Sequence, residues 1–158
     1  MRPLVFVVIA LLLVASVAAA GVLIMSESKS AGLNNAAFYI YHDGRSEDAE
    51  QLYRMALNEE PSYQLARYNL ATLLFQESRF PEAASELEML IAQDPANAQY
   101  HYDLAVNLIE NIRQQHEGLD QFDRAIAEYE TAAQLQPGIA NVKENLAVLY
   151  RIRSSAQS

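Results

Sequence analysis

The polar and apolar positions divide the chain in two. Leu4 to Met25 is a single apolar run of 22 residues, interrupted only by Ser16 and Gly21. Beyond it, apolar residues return at intervals of three and four, which places them on one face of a helix. This spacing predicts helices in pairs. In the first pair the break falls at His42-Asp43-Gly44-Arg45, where Gly44 supplies the positive φ that closes a helix. In the second it falls near Glu77-Ser78-Arg79. Phe80-Pro81-Glu82 opens the helix that follows, because proline is tolerated in a first turn.

The pairs recur with a fixed period. Pro61 and Pro95 lie 34 residues apart, and each closes a segment of the same design. Behind Pro95 stand Leu87, Ala83, Leu74, Ala71 and Leu70; behind Pro61 stand Tyr53, Ala49, Ile40, Ala37 and Ala36. Pro137 is preceded by Tyr129 and Ala125 and, after extra residues, by Leu108, Ala105 and Leu104. The pattern resembles the tetratricopeptide repeat, a helix–turn–helix unit with a small residue at the helix crossing and a proline at its end. The resemblance implies an all-α fold, a right-handed superhelix of about three repeats plus a capping helix. Repeats are expected over about 30–63, 64–97 and 98–139, and the capping helix over 140–153. The repeat domain then spans 33–153, with a polar linker at 26–32 and a disordered tail at 154–158. In the capping helix Lys143, Leu146, Ala147 and Tyr150 repeat the first-helix pattern.

Three departures from the family pattern stand out. Alanine replaces the usual first glycine in every copy, at Ala37, Ala71, Ala105 and Ala147. The family's early tryptophan is replaced by Leu33, Arg67, His101 and Lys143. The third repeat is also eight residues longer than the period, with the excess around Ile112–Leu119. Eight residues make about two helical turns. One extra turn on each helix is expected, with Gly118 ending the first and Asp120 capping the second. The product would be a finger at the edge of the array.

The apolar run is long enough to cross a bilayer, which takes roughly 20 residues. Ala18 and Ala20 fit a signal-peptide cut before Gly21, but Val22-Leu23-Ile24-Met25 continues the run past it. Residues 1–25 are therefore expected to remain as an uncleaved anchor, with 4–25 in the membrane. Arg2 precedes the span, and Lys29 after it is offset by Glu27. This places the repeats on the non-cytoplasmic side, the periplasmic face of a bacterial inner membrane. The opposite orientation would suit a cytosol-facing peptide receptor for a translocase.

Composition narrows the function. A formal net charge of -9 leaves no basic stripe for nucleic acid. Cysteine is absent, so no disulfide or thiolate metal site exists. His42, His101 and His116 show no metal-ligand spacing, and no phosphate loop or nucleophile motif occurs. No enzyme, cofactor, metal or small-molecule substrate is expected. His101 reads as a packed core histidine, and His116 belongs to the finger.

The resemblance implies a partner protein, held as a peptide or helix along the concave face lined by the first helix of each repeat. By the period, the partner-binding positions are Phe38, Tyr41, Tyr68, Asn69, Thr72, Phe75, Tyr102, Val106 and Ile109. Asn34, His42, Leu65, Gln99 and Asp103 also fall on the groove by the same period. The aromatic members offer large apolar area at low entropic cost. Relatives that clamp the carboxylate ends of chaperone tails use lysine, arginine and asparagine. Only Asn69 matches here, beside Asn34, Phe38, Gln99 and Asp103, so no cation meets a carboxylate. The overall expectation is a membrane-anchored scaffold or assembly factor for a membrane or exported complex, or else a permanent subunit of one.

Overall fold

A computed structural model describes residues 28–115, 119–139 and 141–156. Within them the chain forms seven helices: α1 (Lys29–His42), α2 (Ser46–Glu59), α3 (Gln64–Gln76), α4 (Phe80–Gln93), α5 (Ala98–Gln115), α6 (Leu119–Leu135) and α7 (Val142–Ala156). Successive helices pack as neighbours, so α1/α2, α3/α4 and α5/α6 are the three repeats and α7 closes the stack. The apolar run 4–25 lies outside the described residues. No helix among the described residues is long and apolar enough to cross a membrane.

The turns inside the first two repeats share one geometry. Gly44 has φ +81°, with Gly44 N–H bonded to the Tyr41 carbonyl at 2.9 Å and Arg45 N–H to the Ile40 carbonyl at 3.2 Å. This is the paired-bond helix stop that a left-handed residue permits. One period later Ser78 takes φ 60°, with the same two bonds from Ser78 and Arg79 at 2.9 Å each. A serine there carries strain that the glycine avoids.

Three apolar clusters run along the stack. Ala37, Ala49, Tyr53, Leu70, Leu73, Leu74 and Ala83 form the first, joining repeat one to repeat two. Ala71, Leu87, Leu90, Leu104, Leu108 and Ala125 join repeats two and three. Ala105, Ile126, Tyr129, Ala132, Val142 and Leu149 join repeat three to α7. Ala71 and Ala83, both predicted at the crossing within repeat two, fall in different clusters, Ala83 in the first and Ala71 in the second. Their burial is as expected, at 2% and 0% exposed. Ala147 differs from its counterparts Ala37, Ala71 and Ala105, being exposed, because among the described residues no helix packs on that face of α7.

Two of the three polar substitutes for the family tryptophan, Arg67 and His101, make matching clasps. Arg67 donates to the Pro61 carbonyl at 2.7 Å and pairs with Glu86 at 2.6 Å. His101 Nε2 donates to the Pro95 carbonyl at 3.1 Å, and its Nδ1 lies 2.6 Å from Glu128 Oε2. Each clasp ties the loop before a repeat to the second helix of that repeat. Both side chains are buried, so an unpaired replacement at either glutamate would leave a polar group without water or partner.

The boundaries differ from the expected ones at three places. α1 begins at Lys29, so residues 29–32 are helix rather than linker, and Ser28 caps it by accepting from Ala31 N–H at 3.2 Å. α7 runs to Ala156, past the start of the expected tail, because Arg153, Ser154 and Ser155 continue its turns. α6 starts at Leu119, so Asp120 lies inside the first turn instead of ahead of it. The extra length is shared as expected: α5 has 18 residues and α6 has 17, against 13 and 14 in repeat two. Gly118 and the tip of the finger lie outside the described residues.

Overpacking at a closed crossing costs roughly 1–3 kcal/mol. Ala71→Leu should therefore lower unfolding free energy by about that amount, measured by urea titration. Glu88→Ala, which loses only an exposed pair with Arg124, should change it by less than about 0.5 kcal/mol. Equal effects would mean that the register is wrong.

Candidate peptide-binding groove

Two adjoining pockets lie along the first-helix face. The first encloses about 150 Å³ between α3 and α5, lined by Tyr68, Thr72, Phe75, Asp103 and Val106, with Ala71 and Leu87 also in its wall. The second, about 330 Å³, opens between α5 and α7. Tyr102, Val106, Ile109 and Glu110 line it from α5, Tyr129 from α6, and Asn145, Val148 and Leu149 from α7. Val106 belongs to both pockets, so they form one continuous groove across repeats two, three and the closing helix.

The helical period explains this gathering. Tyr102, Val106 and Ile109 fall at i, i+4 and i+7 on α5, one face of the helix. Tyr68, Thr72 and Phe75 repeat the same intervals on α3, 34 residues earlier. Six of the nine residues expected from sequence thus line the groove. Tyr102 stacks edge-on against Tyr129 with ring centroids 5.4 Å apart. Asn145 Nδ2 donates to the hydroxyl of Tyr129 at 3.2 Å and reaches that of Tyr102 at 3.5 Å. Phase is set in repeat two by Phe75 packing edge-on to Phe80 at 5.4 Å, and Thr72 Oγ1 donates to the Tyr68 carbonyl at 2.9 Å.

The other three stand elsewhere. Asn69 Nδ2 donates to Asn34 Oδ1 at 2.9 Å, a bond between α3 and α1. Asn34 itself is buried, so the two asparagines join repeats one and two. Tyr41 packs against the first core cluster. Phe38 is 46% exposed and its ring lies 4.4 Å from that of His42. It extends the apolar surface on α1 but borders neither pocket.

Asp103 is the one carboxylate in the smaller pocket. Tyr68 Oη donates to its Oδ2 at 2.8 Å and Gln99 Nε2 to its Oδ1 at 2.8 Å. Burial raises its pKa, and the two hydrogen bonds, which pull the other way, do not cancel that rise. Burial also raises the Tyr68 hydroxyl, with the Asp103 charge adding to it. Tyr129 is pushed up to about 12, mainly by burial. No lysine or arginine lines either pocket; the acids Asp103 and Glu110 do. Glu110 is paired with Arg113 at 2.7 Å, whereas the polar partners of Asp103 are neutral.

Sequence reasoning missed the contribution of α7 to the groove and a separate cleft on the other side of α5. That cleft, about 390 Å³, lies among α4, α5 and α6 beneath the lengthened helices. Asn107 and Asn111 line it. Both amide atoms of Asn107 and the Oδ1 of Asn111 are buried without a protein partner. The signal was available: Asn107 occupies the position of Leu73, which is fully buried one period earlier.

Residues 41–108 match the family model described as tetratricopeptide repeat. Over this stretch the chain carries the tetratricopeptide repeat pattern. Solved structures share the fold. The first such domain of RPAP3 (Spaghetti), bound to the HSP90 peptide SRMEEVD, is 16% identical with a TM-score of 0.68, covering 80% of this chain and 94% of that one. The second domain of human RPAP3, in complex with the HSP70 peptide SGPTIEEVD, is 16% identical with a TM-score of 0.62, covering 75% and 92%. MamA from Desulfovibrio magneticus RS-1 is 19% identical with a TM-score of 0.65, covering 77% and 64%. No curated protein matches the sequence.

A raised carboxylate pKa means that folding favours the protonated form of Asp103. Its contribution is present at low pH and lost as pH rises through the folded-state pKa. Asp103→Asn should therefore raise the melting temperature at pH 7, with the gain shrinking as pH falls below that value. A melting curve lowered equally at every pH would assign Asp103 a purely structural role.

Proposed function

We propose that this protein is a membrane-anchored interaction scaffold that holds a segment of a partner protein in the α3–α5–α7 groove. The observation that carries the reading is the groove itself. It consists of two pockets with tyrosine, phenylalanine and aliphatic walls, joined at Val106 and open at the surface. Such walls suit bulky apolar side chains from a partner, with the tyrosine hydroxyls and Asn145 available as polar guides. The peptide complexes of both RPAP3 domains support a protein ligand for this fold. Their peptides end in acidic residues, and nothing cationic lines the groove here, so the ligand differs in chemistry.

The apolar run 4–25 supplies the anchor in this account, and Arg2 sets the repeats on the periplasmic face of a bacterial inner membrane. With α1 starting at Lys29, only a few residues separate the membrane from the first repeat. The groove would then present itself close to the bilayer, where an assembly factor meets the segments of a membrane or exported complex.

Aromatic anchors at an interface centre cost about 2 kcal/mol or more on truncation. Tyr68→Ala should weaken partner binding at least about tenfold with helical content unchanged, read by affinity purification and circular dichroism. Normal recovery by Tyr68→Ala, with loss on deleting residues 112–119, would place the contact on the finger instead. Intact mass of the membrane-extracted chain should include residues 1–25. A mature chain starting at Gly21 would remove the anchor from the account.

A further inference from the structure

We infer that the groove selects partner segments in which a lysine or arginine lies beside a large apolar residue, with Asp103 as the group that reads the cation. The inference rests on the groove reading above and adds the sign of the charge.

Asp103 sits in a small pocket whose other walls are apolar or aromatic. Its two oxygens accept one bond each, from Tyr68 and from Gln99. A carboxylate has about four acceptor sites, so two remain free for a further donor. An acid removed from water without a cation is unfavourable, and burial accordingly raises the pKa of this one. Glu110, the other acid along the groove, already has Arg113. The surrounding chain thus leaves one desolvated anion uncompensated, at the place where a bound segment would lie.

The pocket size fits the same ligand. A volume of about 150 Å³ matches the cavity size that accepts a benzene ring. One phenyl or branched aliphatic side chain can enter between Phe75 and Val106, and the adjoining residue of the segment then passes Asp103. An ammonium or guanidinium there gains a charge-assisted bond and can also stand against the face of Tyr68. A carboxylate there would meet like charge in a poorly solvated site. The ligand preference is therefore opposite in sign to an acidic tail.

The test is a selection of phage-displayed random heptapeptides on the full chain in detergent, run in parallel on Asp103→Asn and Tyr68→Ala. Wild type should enrich peptides with Lys or Arg next to Phe, Leu, Ile or Trp. Replacing that cation by glutamine in a synthesised peptide should weaken binding to wild type about tenfold or more, and to Asp103→Asn by less than about threefold. Circular dichroism establishes that each variant is folded, and Asp103→Ser replaces Asp103→Asn if it is not. Equal enrichment of cations on wild type and on the Asp103 variant overturns the inference, as does enrichment of peptides without a cation. Those outcomes leave the groove reading standing if Tyr68→Ala still loses the peptides. Undiminished binding to Tyr68→Ala defeats the groove reading as well.

Discussion

The close approach of helices at alanine is the constraint on which the rest of this molecule depends. Ala37, Ala71 and Ala105 are all but sealed from solvent at 34-residue intervals. Each lets a first helix settle against its neighbours closely enough for the flanking leucines to meet across repeats. The groove follows from this. When the alanine side of α3 and α5 faces inward, Tyr68, Thr72, Phe75, Tyr102, Val106 and Ile109 are turned to the open face. Larger residues at the alanine positions would separate the helices and widen the two pockets beyond the reach of one side chain. Alanine in place of the family's glycine also favours the helix itself, by nearly 1 kcal/mol per position.

Polar residues do the indexing that apolar packing cannot. Leucine clusters tolerate some sliding, whereas hydrogen bonds specify one register. Arg67 and His101 clasp the prolyl carbonyl ahead of repeats two and three and a glutamate on the second helix of each. Arg79 bridges repeats one and two, donating to Glu50 at 2.6 Å while also holding Glu82 at 2.7 Å. The pKa of Glu50 is lowered, chiefly by that bond with Arg79. Asn34 and Asn69 add an inter-repeat bond inside the stack. Against this background the bonded but cation-free carboxylate of Asp103 stands apart. Glu86 and Glu50, by contrast, each meet an arginine.

Much of this was legible in the sequence, and the exceptions have physical reasons. The Pro61–Pro95 period and the alanine–aromatic spacing fix the helix pairs and six groove residues, because a helix face is determined by spacing alone. Asn34 and Asn69 were placed in the groove by the same spacing, but their mutual bond draws them between repeats. The clasps were not legible: Arg67 and Glu86 are 19 residues apart, His101 and Glu128 are 27 apart, and the lengthened third repeat shifts the second partner. The α7 wall was not legible, because the repeat pattern assigns groove positions only to the first helices of the three repeats, ending at Ile109. No sequence pattern reveals that burial outweighs two hydrogen bonds at Asp103.

The most direct measurement of the central claim is site-specific photocrosslinking of the full chain in its native membrane. A benzophenone residue at Thr72, which is exposed and lines the smaller pocket, samples the groove; the same residue at Gln51, exposed on α2, samples the outer surface. The account predicts a discrete protein adduct from position 72 and none from position 51. An adduct from position 51 with none from position 72 would contradict it.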